Sequence, residues 1–79
     1  MFNEGDLRAS LVEFQRAYEL SPNPSVLYNI GQVHYQLQEY AAALRALTRF
    51  VAQTSPGAPN RMDAETTVET LRSLSLIHI

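Results

Sequence analysis

A chain of 79 residues and 8.9 kDa holds one small domain or a piece of a larger array, and rules out a multi-domain enzyme. It has no cysteine, which excludes disulfides, thiolate chemistry and cysteine-bound metal. Its formal charge of −2 offers no basic field for nucleic acid or an anionic membrane.

The elements follow in chain order. Leu7, Leu11, Phe14 and Tyr18 make an i, i+4, i+7, i+11 stripe, which predicts a helix from about Asp6 to Leu20. Ser21-Pro22-Asn23-Pro24 breaks it, because each proline lacks a backbone donor and pushes the preceding residue out of helical geometry. Asn23 can cap the next helix, with Pro24 at its first position, where no donor is missed. That helix carries Leu27, Ile30, His34 and Leu37 on one stripe and ends near Gln38, at a weak turn formed with Glu39. Tyr40, Ala43, Leu44, Leu47 and Val51 mark a third helix to about Gln53. The turn from Ser55 to Asn60 follows, and Asn60 with Asp63 predicts a capped start for a fourth helix striped by Ala64, Val68 and Leu71. Nothing alternates in the strand sense over a useful length. The fold class is all-α, with about four antiparallel helices.

Shifting the chain by 33 on itself aligns Leu7 with Tyr40, Leu11 with Leu44, Phe14 with Leu47 and Arg16 with Arg49. A period in the low thirties, with two helices per unit, marks a helical solenoid. From Leu27-Tyr28-Asn29-Ile30-Gly31 through Tyr40 and Ala43 to Leu47, the chain resembles one complete tetratricopeptide repeat, spanning 23–56. The resemblance implies that Gly31 and Ala43 are the small residues that let paired helices approach. Ile30 and Leu47 would be the large ones that fill the gap, and Tyr40 the aromatic after the turn. Residues 1–22 would hold the second helix of an incomplete unit, with Ser10 small, Phe14 large, Ala17 at the final small place and Pro22 closing it. Residues 57–60 would be a turn and 61–73 a following or capping helix. This chain has Gln38 where the family has a turn glycine, kept at Gly5 in the earlier copy. His34 replaces the family tyrosine and Phe50 the final alanine, so packing against the fourth helix is expected to differ.

Residues 74–79, Leu-Ser-Leu-Ile-His-Ile, break the helical spacing and resemble the conceptual translation of a transposase adapter used for sequencing libraries. They are expected to be a non-native tail, outside the fold reasoning, on a piece of a longer bacterial protein; a natural tail folding back on the last helix is the alternative. All six cations are arginines, which suits a GC-rich coding genome.

Chemistry is sparse. No segment resembles a secretory signal or approaches the roughly 20 apolar residues of a membrane span. His34, on the inward stripe, reads as a packing residue with one bonded nitrogen, since no carboxylate or second histidine lies one turn away. No nucleophile sits in a strand–turn–helix context and no glycine-rich loop cradles phosphate. No enzyme activity, cofactor or metal is expected. Arg45 and Arg49, one turn apart, and the set Arg61, Glu65 and Glu69 read as solvated faces, though the arginine pair could meet an acidic partner.

The best functional signal is the stripe Tyr28, Gln32 and Tyr35, flanked by Asn29 and Gln36, away from Leu27, Ile30 and Leu37. In the family resembled, first helices line a concave surface that binds peptides, which implies a protein or peptide partner held by these five residues. The bland alternative for them is contact with the first helix of the neighbouring repeat. The helix carries no Arg or Lys, so the carboxylate-clamp version of the family is not implied. The expected function is a protein–protein interaction scaffold. Self-association through an uncovered helix face is the second reading, and a non-catalytic regulatory segment of a larger enzyme or transcription factor is the third.

Overall fold

The computed structural model describes residues 4–77, all helix and connections: α1 (Glu4–Leu20), α2 (Pro24–Gln36), α3 (Tyr40–Ala52) and α4 (Arg61–Ile77). Each helix packs on the next in chain order. The start of α2 follows local chemistry. Asn23 is extended at φ −137°, its side chain accepts the Ser25 N–H at 2.9 Å, and Pro24 opens α2.

Two apolar clusters meet in the middle of the bundle. Leu11 of α1, Ile30 and Val33 of α2 and Ala46 of α3 form one. Leu27, Ala43, Leu47, Phe50, Ala64, Val68 and Leu71 form the other, tying α2, α3 and α4 together. Gly31 lets α2 approach α3. A Cβ on it would stand 2.5 Å from Leu47 Cδ2 and 2.6 Å from Leu47 Cγ. A side chain at position 31 would therefore meet Leu47 first. Phe50 is sealed at 2% exposure, and Ala64 of the same cluster, at 0%, keeps the facing α4 position small.

Positions 33 apart in α1 and α3 differ in how well they are covered. Ala43, Leu47 and Phe50 of α3 are 0%, 0% and 2% exposed, because α3 lies between α2 and α4. At the same register in α1, Ser10 and Phe14 are half-buried and Ala17 is exposed. Leu11 is buried by α2, and Leu7 only half-buried.

Several sequence expectations need correction. Gly5 lies within the first turn of α1 and not at a turn between helices; α1 begins at Glu4, where Glu4 and Asp6 favour a helix N-terminus. Asn60 does not have the extended backbone of a side-chain cap. It stands at φ 67°, a left-handed position that Asn tolerates, and its carbonyl accepts the Ala64 N–H at 2.9 Å. The helical spacing does not break at Leu74. That residue continues the Ala64, Val68, Leu71 stripe, half-buried against the core, and α4 runs on to Ile77. His78 and Ile79 lie outside the described residues.

Arg61 is more than part of a solvated face. Its Nη1 donates to the Val51 carbonyl at 2.9 Å and to the Thr54 carbonyl, while Nε donates to Glu65 Oε1 at 2.8 Å. It thereby ties the last turn of α3 and the connection just beyond it to the start of α4. Gln38 has φ 62°, a conformation that costs an L-residue about 1–2 kcal/mol and glycine very little. Gln38→Gly should therefore raise stability by about 0.5–1 kcal/mol, read as a higher denaturation midpoint at unchanged m-value.

Candidate functional site

The α2 stripe divides in two. Tyr28 and Gln32 turn toward α4, where the Tyr28 hydroxyl donates to Asp63 Oδ2 at 2.6 Å and Gln32 Nε2 donates to the same oxygen at 3.3 Å. The Tyr28 ring packs on Phe50 at 5.3 Å between centroids. The bond to Asp63, helped by partial burial, raises the phenol pKa above its ordinary value, so Tyr28 stays a donor through the neutral range. Further along, Asn29 and Gln36 are exposed, and Tyr35 is 37% exposed with its ring edge-on to Tyr40 at 5.6 Å. Tyr40 is itself 40% exposed. The five residues thus share one side of α2, but only Asn29, Tyr35 and Gln36 are open; Tyr28 and Gln32 form its boundary with α4. Periodicity alone could not separate them, because Asp63 lies 35 residues away in sequence.

A second polar cluster joins α1, α2 and the turn into α3. His34 keeps 13% of its side-chain surface, and its Nδ1 donates to Glu39 Oε1 at 2.9 Å. Arg8 Nη2 donates to Glu39 Oε2 at 2.7 Å. His34 is the packing residue with one bonded nitrogen that its stripe position predicts. Its partner, five residues on, comes into reach only because the chain turns at Gln38. Arg8 carries no local signal, since it meets Glu39 through tertiary packing.

These donors, His34 first and Arg8 second, hold the Glu39 carboxyl below its ordinary 4.5. A lowered folded-state pKa stabilises the fold above the ordinary carboxylate range, and that contribution is lost as pH falls through the lowered value. Thermal melts from about pH 6 down to about pH 3 should therefore show an acid limb that Glu39→Gln makes shallower.

A groove of about 540 Å³ lies between α1 and α3, with α2 beneath it. Leu27, Ile30 and Ala46 lie at its floor, and Arg45 and Arg49 line its α3 side. Arg49 sits over the Tyr18 ring at 5.5 Å and donates to the Tyr18 hydroxyl at 3.3 Å. The arginine pair, read from sequence as an outer face, thus borders a concave surface.

No family model, curated protein or solved structure matches this chain.

Proposed function

We propose that the chain is a tetratricopeptide-like segment that acts as a protein–protein interaction scaffold, with the open part of α2 as its binding face. The observation that carries this reading is the placement of Asn29, Tyr35 and Gln36. They are exposed on a helix whose other side is packed by Leu27, Ile30 and Val33. A tyrosine ring beside amide donors and acceptors suits a peptide or a partner helix, because aromatic anchors supply much of the energy at an interface. Tyr28 and Gln32, bonded to Asp63, make one wall of that face and fix its angle to α4. The Gly31–Leu47 approach supports the repeat assignment, since a small residue at that point is what the resemblance implies.

Photo-crosslinking tests the reading. A photoreactive residue at Gln36 in the full-length protein should capture a discrete partner, and one at Glu13 on α1 should not. Equal capture from both positions, or from neither, would overturn it.

A specific observation favours self-association as the second reading. Ser10 and Phe14 are only half-buried and Ala17 is exposed where Ala43, Leu47 and Phe50 are sealed, so α1 presents a face that a second copy could cover. Sedimentation would then give a concentration-dependent dimer that Phe14→Glu dissociates.

A further inference from the structure

Ile30 and His34 lie about half a turn round α2 from Tyr28 and Gln32, and they face the groove between α1 and α3. That groove has a side chemistry unlike that of the α2 face. Its α3 wall places Arg45 and Arg49 one turn apart, about 6 Å along the helix. Both are exposed. Arg45 makes no ion pair with any of the described residues, and Arg49 spends one N–H on the uncharged Tyr18 hydroxyl. Like charges at i, i+4 repel, so an anion spanning both is favoured twice, by attraction and by relief of that repulsion. Guanidinium is also the cation best shaped to hold a carboxylate through two parallel bonds. The opposite wall, on α1, offers Gln15 and Glu19. A Gln amide can both donate to and accept from a peptide backbone, and a carboxylate accepts its N–H groups.

We propose that this groove docks an acidic peptide segment of a partner protein, one with two carboxylates about 6–7 Å apart and an apolar side chain beside them. Residues i and i+2 of an extended strand have that separation, so an acidic–x–acidic stretch matches the arginine pair. Its carboxylates meet Arg45 and Arg49, its backbone N–H groups meet Glu19 and Gln15, and its apolar group covers the Leu27, Ile30 and Ala46 floor. The site is separate from the α2 face, so the two surfaces can fail independently.

The test pans a displayed library of random dodecapeptides against the full chain and measures selected peptides by fluorescence anisotropy. The expected binders carry paired acids at i, i+2 and weaken as salt rises from about 50 to about 300 mM. Arg45→Glu/Arg49→Glu should cost them at least about tenfold in affinity, while Tyr35→Ala leaves them unchanged. Arg45→Gln/Arg49→Gln, which removes charge without reversing it, should show the same direction, with a thermal melt confirming that the variant is folded. Binders without paired acids, binders indifferent to both arginine variants, or no binders at all would overturn the proposal. Binders lost to Tyr35→Ala alone would overturn it too, and would leave the α2 reading standing.

Discussion

Gly31→Leu is expected to unfold the chain or leave it without a cooperative melt. The β-carbon alone would lie 2.5 Å from Leu47 Cδ2 and 2.6 Å from its Cγ, and Leu47 is 0% exposed, so any shift it makes is into other core side chains and not into solvent. Overpacking of this kind costs about 1–3 kcal/mol or more, against a total stability that is small in a domain of this size. Gly31→Ala sharpens the test. Alanine is the better helix former by about 1 kcal/mol, so on helix propensity alone the variant should be more stable. It should instead be less stable, and Leu47→Ala in the same chain should recover part of the loss. A double-mutant cycle by urea denaturation reads that coupling directly.

Phe50→Ala should have a comparable effect through the opposite fault, a cavity. Phe50 is 2% exposed, lies among Ala64, Val68 and Leu71 of α4, and supports the Tyr28 ring at 5.3 Å. Truncating a buried Phe to Ala costs about 3–5 kcal/mol. The loss should fall first on α4, whose apolar stripe faces this cluster. Hydrogen exchange should therefore show the α4 amides losing protection before those of α1. Equal loss along the chain would mean that α4 is no weaker a unit than the rest.

The helices were legible because their apolar residues repeat at helical spacing and because proline marks two of the breaks. Asn23 and Pro24 illustrate this, since cap and first-turn residue act through their own backbone. Gln38 was legible as a place where glycine is usual, and the left-handed backbone there supplies the reason. What the sequence hid depends on contacts across the fold. Arg61 looked like half of an i, i+4 pair with Glu65, yet it reaches back to carbonyls at the end of α3. The tail looked non-helical because two β-branched residues crowd its end, but Leu74 keeps the α4 stripe in register. Within the candidate site, the exposure of Asn29 and Gln36 followed from their positions on α2. The pairing of Tyr28 with Asp63 did not, because it depends on where α4 comes to rest.

One paired comparison tests the division of α2 between a bonded edge and an open face. Tyr28→Ala and Tyr35→Ala would each be made in the full-length protein, with a thermal melt and an affinity for the crosslinked partner measured for both. Tyr35→Ala should keep the melting temperature and lose at least about tenfold in affinity, as an exposed aromatic anchor does. Tyr28→Ala should lower the melting temperature, because it removes the Asp63 bond and the Phe50 contact. A Tyr35→Ala protein that binds as the unaltered one does would contradict the account, and so would one that melts as Tyr28→Ala does.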